Sequence, residues 1–166
     1  MPLIKVGAHL DSEIAEDAFV TVADDAPLTD APAIVSLARF KKERDVLLAR
    51  NTPLGIRLKA AENPEELGDD VHHFAVVVLE IPTFKDGRAF SWARILRTRM
   101  KYRGEVRSVG HILYDQVALL QRVGVDAFEL PETITLAQVR RALGEMKNVY
   151  QPSADGRKTI RDLRAG

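Results

Sequence analysis

The 166-residue chain contains no cysteine. That absence excludes disulfides, a thiolate nucleophile, a CxxC redox pair and any cysteine-ligated cluster or zinc site. A redox role would need a bound cofactor or a partner. Net charge is absent too, since 24 Lys and Arg balance 24 Asp and Glu, which argues against nucleic acid as a partner of the whole surface. No stretch approaches the roughly 20 apolar residues of a membrane span. Met1-Pro2-Leu3-Ile4-Lys5-Val6 also lacks the basic-then-apolar pattern of a secretory signal. The expectation is a cytoplasmic protein with no membrane partner. GxGxxG, GxxxxGK[ST], a nucleophile elbow and HExxH are all missing, so the usual dinucleotide, nucleotide, hydrolase and metalloprotease fingerprints are not there. His72-His73 has no supporting cluster, and no metal site is expected.

What is present is a folded composition, 46% apolar and 29% charged, sized for one domain. The zero net charge conceals a segregation. Val6 to Ala38 has no Lys or Arg and carries Asp11, Glu13, Glu16, Asp17, Asp24, Asp25 and Asp30, whereas Arg88 to Arg107 carries seven cations against Glu105 alone. Either the acidic arm folds over the basic helix within the monomer, or the basic surface meets an anionic ligand or protein.

Residues 1–32 read as a short N-terminal β extension, with weak strands at Leu3–Val6 and Ala18–Val22. Residues 33–150 alternate as an α/β domain. Strands are expected at Ile34–Leu37, Leu54–Leu58, Phe74–Leu79, Glu105–Val109 and Asp126–Leu130, with helices over 41–50, 88–101 and 111–123 and a helical turn at Pro64–Leu67. The unbroken apolar run Phe74–Leu79 suits a central parallel strand. Thr135-Leu-Ala-Gln138 is a capping-box signature, with Leu136, Val139, Leu143 and Met146 following at helical spacing. About five βα units result, and the expected sheet is open, mostly parallel and flavodoxin-like, or else a fragment of a barrel. Residues 151–166 lack apolar periodicity and read as a mobile tail.

Ligands in such a sheet bind at the carboxyl ends of the strands. Two loops there carry chemistry. In the first, Asp86 can cap the helix that follows, Gly87 allows close backbone approach, and Arg88 and Ser91 are at hand. In the second, Arg107-Ser108-Val109-Gly110-His111 places Gly110 at an expected helix start whose N–H groups could hold an anion. His111 and Asp115 stand four apart on the expected helix, so Asp115 could orient the imidazole or pair with Arg122. Arg99 and Gln116 fall among apolar positions, and Arg99 needs a carboxylate, a carbonyl, an anion or a route to solvent.

The run Ile81-Pro82-Thr-Phe84-Lys-Asp86-Gly87-Arg88-Ala-Phe90-Ser91-Trp-Ala93-Arg94-Ile-Leu96-Arg97-Thr-Arg99 is similar to the FPxFxDGRxxSxARxLRxR signature of a bacterial family, domain of unknown function 934. Tyr102 to Gln116 and Arg122 to Phe128 resemble it as well, as do Pro2-Leu3-Ile4-Lys5 and Leu54-Gly55-Ile56-Arg57-Leu58. Ile81, Ser108, His111 and Val125 stand where relatives usually carry Phe, Ala, Asp and Phe. The family is often labelled a probable oxidoreductase involved in sulfite reduction, so the resemblance implies an association with assimilatory sulfite reduction.

Three functions are consistent with these residues. The first is an accessory partner of the sulfite reductase haemoprotein, docking through the basic helix around Arg94, Arg97 and Lys101 or through the acidic arm. The second is a small enzyme binding an anion or flavin between the two loops. There Arg88 and Arg107 would clamp the anion, Asp86 or His111 would handle a proton, and Arg99 and Gln116 would order the surroundings. The third is a structural domain with no ligand. No motif supports flavin, and the cofactor is left open.

Overall fold

The computed structural model describes residues 1–7 and 11–165. The strands are β1 Leu3–Val6, β2 Ser12–Ala15, β3 Val20–Thr21, β4 Ala33–Ser36, β5 Leu54–Leu58, β6 Phe74–Ile81, β7 Glu105–Gly110 and β8 Ala127–Glu129. The helices are α1 Leu37–Leu48, α2 Arg88–Thr98, α3 Gln116–Val123, α4 Leu136–Glu145 and α5 Ile160–Ala165, with a 3-10 segment over Pro64–His73. Their starts follow local chemistry. Ser36 accepts from the Arg39 amide at the head of α1, Asn63 and Glu66 form a capping box on the 3-10 segment, and Thr135 with Gln138 does the same for α4.

All eight strands form one sheet in the order β2-β1-β8-β7-β6-β5-β4-β3. From β3 to β8 neighbours are parallel, while β1 is antiparallel to both β8 and β2. The apolar β6 lies at the centre, as its sequence requires. The flavodoxin-like expectation fails on this order. A flavodoxin sheet reverses direction at a switch point, whereas here the parallel strands succeed one another in chain order, as in a barrel. Right-handed crossovers then place α1, the 3-10 segment, α2 and α3 on the same face. Accordingly Val35, Ile56, Val77, Leu79, Val106 and Phe128 share a core with residues of α1 to α4, while Ile34, Val76, Val78 and Val109 on alternate positions form a second cluster without any helix residue.

The sheet must also curl. Only Glu16–Phe19 joins β2 at one edge to β3 at the other. Five extended residue steps reach about 18 Å, while seven strand spacings in a flat sheet span about 34 Å. The edges therefore approach each other and the helix-free face becomes an interior. Phe19, from the crossover, packs against Ile34, Val76, Val78 and Val109 inside it.

Several elements differ from the sequence reading: β2 was not expected, α1 begins at Leu37 rather than 41, and the expected strand Ala18–Val22 is only Val20–Thr21. α2 ends at Thr98, before Lys101 at φ 55°. α3 begins only at Gln116, because Ile112 is buried from a turn rather than from a helix. Residues 151–160 make contacts back to the domain: Ser153 Oγ donates to the Arg122 carbonyl at 2.6 Å, Asp155 pairs with Arg122 at 3.1 Å, and the Ile160 amide donates to the Val149 carbonyl at 2.8 Å. No helix among the described residues is long and apolar enough to cross a membrane.

Candidate functional site

Strands β6 and β7 are neighbours, so the two loops that follow them do face each other. Gln116 Nε2 donates to the Phe84 carbonyl at 2.8 Å and Gln116 Oε1 accepts from the Leu113 amide at 3.0 Å. The Phe84 and His111 rings meet edge to face at 5.6 Å. Gln116 thus staples one loop to the other, and Phe84 is held outward, 41% exposed.

The polar groups of these loops answer to one another. Asp86 accepts from the Arg88 backbone amide at 3.1 Å and from its guanidinium at 2.9 and 2.6 Å. These bonds from Arg88 hold the Asp86 carboxyl down at about 2. A carboxylate held ionised by its neighbour is a poor proton carrier near neutral pH. Gly87 is the N-cap of α2, and Ser91 is exposed on its first turn.

Gly110 ends β7 at φ 103°, and the next amide, that of His111, donates to the Ile81 carbonyl at 2.8 Å. The anion-holding helix start expected at Gly110 is therefore absent, and residues 111–115 separate it from α3. For the same reason His111 and Asp115 are not a helical i,i+4 pair. Arg122 pairs with Asp155 instead of Asp115. Arg99, the C-cap of α2, reaches solvent and pairs with Glu65 at 3.3 Å.

Arg107 departs furthest from expectation. Its side chain is 0% exposed and points into the interior of the curled sheet, away from the helix layer. Nη1 and Nη2 donate to Asp17 Oδ2 and Oδ1 at 2.6 and 3.1 Å, Nε donates to Glu105 at 2.9 Å, and Nη1 also reaches Glu129 at 3.2 Å. Lys5 pairs with Glu105 at 2.8 Å. Burial works against the Arg107 charge, but the bonds to Asp17 and Glu105 outweigh it and raise its pKa. Asp17 responds in the opposite sense. Burial alone would raise its carboxyl, and the Arg107 guanidinium brings it below the ordinary value. The acidic arm thus folds onto β7 and not over the basic helix, and Arg107 is no exposed clamp for an anion.

Ser108 faces the helix layer, fully buried, and its hydroxyl has no partner among the described residues. Arg97 is also structural. Its guanidinium donates to the carbonyls of Gly124, Tyr102 and Gly104 at 3.0, 2.9 and 2.8 Å and pairs with Asp126. Arg94, Lys101 and Arg103 remain exposed, with no carboxylate within 4.0 Å among the described residues.

Sequence reasoning missed the partly exposed charged residues Asp17, Arg57, Glu80 and Glu129 that meet on or beside the helix-free face. Arg57 and Glu80 pair at 3.3 Å toward the carboxyl end of the sheet, and Ser36 Oγ donates to Asp24 at 2.6 Å nearby on β4. For Arg57, Glu80 and Glu129 the signal was parity, since each shares a strand face with Val76, Val78 or Val109, positions that a curled sheet turns inward; Asp17, on the crossover, carried no such signal. Among the described residues no cluster of His, Asp and Glu could hold a metal ion.

Fold and site together define an α/β domain whose parallel strands curl around a charged interior closed by an N-terminal crossover. A family model, that of a bacterial protein of unknown function (DUF934), matches residues 55–161, and the chain belongs to this family. No curated protein and no solved structure matches it.

Proposed function

We propose that the chain is a non-catalytic accessory component of sulfite reduction that docks on the sulfite reductase haemoprotein. The link to sulfite reduction comes from the family resemblance over Ile81–Phe128. The docking mode is supported by one observation: Arg94, Lys101 and Arg103, on α2 and the turn after it, stand exposed without carboxylate partners, while Arg88, Arg97 and Arg99 around them are paired. Cations left unpaired on a surface favour an acidic partner and set association rate and orientation. The non-catalytic character is supported by the internal pairing of Asp86, Arg88 and Arg107, the groups that an enzyme reading would need free.

The test is size-exclusion co-elution of the purified chain with the haemoprotein. Co-elution is expected at low salt, with loss near about 0.5 M salt, where screening is short-ranged. The combined variant Arg94→Glu, Lys101→Glu and Arg103→Glu should not co-elute. Absence of a complex at low salt overturns the docking. A stoichiometric flavin absorption in the same preparation would favour the small anion- or flavin-binding oxidoreductase instead.

A further inference from the structure

We propose that the curled sheet carries at its rim a binding site for a small carboxylate, centred on Arg107, and that Asp17 fills it in the resting protein as a tethered stand-in. This does not depend on the docking above.

The first observation is the contact itself. Two oxygens of one Asp17 carboxylate meet the two terminal nitrogens of Arg107 at 2.6 and 3.1 Å. This is the planar fork-on-fork arrangement by which arginine binds free carboxylates.

The second is charge. A buried guanidinium needs a counter-ion, and Glu105 and Glu129 already supply two from strands β7 and β8. With Lys5 on Glu105, the cluster reaches balance before Asp17 is added. Asp17 is a third carboxylate on a site already neutral.

The third is attachment. Glu105 and Glu129 are fixed within the sheet ladder, whereas Asp17 sits on a four-residue crossover outside any strand, exposed together with its neighbours Glu16 and Ala18. That crossover has one apolar anchor, Phe19, and leads into a strand of only two residues. Segments with few buried contacts open at the least free energy. Of the three carboxylates, Asp17 is therefore the one that a ligand can replace. It would leave the outward end of the Arg107 fork free, inside a parallel sheet whose carboxyl end carries the polar pair Arg57 and Glu80.

The experiment uses the full chain and acetate, which reproduces the Asp17 side chain beyond its α-carbon. In the wild-type protein, displacement of the crossover should free the Val20 and Val22 amides, now bonded to the Pro32 and Ile34 carbonyls at 3.0 and 2.9 Å. Acetate at about ten times its dissociation constant for the opened chain should speed their hydrogen exchange about tenfold, in proportion to its concentration, with chloride at equal ionic strength without effect. In Asp17→Gly, acetate should raise the melting temperature, again unlike chloride. Asp17→Asn keeps the shape without the charge, and should show faster exchange at both amides and tighter acetate binding than the wild type. Should Asp17→Gly not fold, the wild-type and Asp17→Asn measurements decide. Exchange unchanged by acetate in both, or acetate rescue of Asp17→Gly with no response in the wild type, overturns the proposal. The latter would mark a hole made by the substitution only.

Discussion

At Gly110 an added methyl group would lie 2.4 Å from the Ile81 carbonyl oxygen, on a backbone already at φ 103°. Neither can relax without moving β6, so Gly110→Ala should cost about 2 kcal/mol, in the range of overpacked and left-handed positions. Urea denaturation measures it. Asp86 makes a complementary test on the surface. Its midpoint, followed by carboxyl-carbon NMR, should fall at about 2, and Arg88→Ala should return it toward the ordinary carboxylate range. Because the folded value is depressed, whatever stability the pair supplies is present above the unfolded carboxylate value and fades as pH falls toward 2. Both residues were visible in the sequence, as a glycine at a strand end and a carboxylate ahead of a helix. Arg107 was visible only as a cation beside a glycine. Arginine is seldom buried, so its residue type pointed outward, while its place between Val106 and Val109 in a buried strand was the better guide.

Among elements, the end of α2 is bound to the starts of β7 and β8 through the one guanidinium of Arg97. Arg97→Ala removes three bonds to carbonyls and leaves Asp126 without its cation, and should cost about 3 kcal/mol. Lysine at that position should recover little, lacking the fork that serves four acceptors. Equilibrium denaturation of both variants checks this. Gly144, in the last turn of α4, has nothing within 4 Å of an added Cβ. Gly144→Ala should therefore stabilise the protein by about 0.5 to 1 kcal/mol through helix propensity, visible as a higher melting temperature. The same local logic explains which element boundaries could be read. The start of α4 was legible because its capping box lies within four residues, and β6 because it is apolar throughout. The start of α3 was not, since Ile112 continues the apolar spacing of the helix while belonging to the turn before it. The segment after Gln151 looked unstructured because its anchors, Arg122 and Val149, lie outside it.

For the whole molecule, strand order and curvature were beyond sequence periodicity, which reports faces and not neighbours. The alternation of strands and helices gave the α/β class. The choice between a flavodoxin-like sheet and a barrel fragment needed the pairing of β4 to β8 in chain order and the short crossover that draws the edges together. That closure predicts an acid sensitivity. Asp17 is lowered by Arg107 in the folded chain, so its contribution is complete above the unfolded carboxylate value and is lost as pH falls through and below it. Stability measured by denaturant from pH 7 to 3 should decline on the acid side, and Asp17→Asn should flatten that decline.

Pairing β1 with β8 also sets a timetable for synthesis. Leu3 must find Glu129 and Ile4 must find Phe128, so β1 leaves the ribosome more than a hundred residues ahead of its partner. At ordinary elongation rates the interval is on the order of 10 s. Throughout it the β1–β2 hairpin has its partner edge vacant, with Ile14 already facing outward. A nascent chain of this protein is most open to mispairing during that wait, and the acidic residues crowded around the hairpin keep such edges apart.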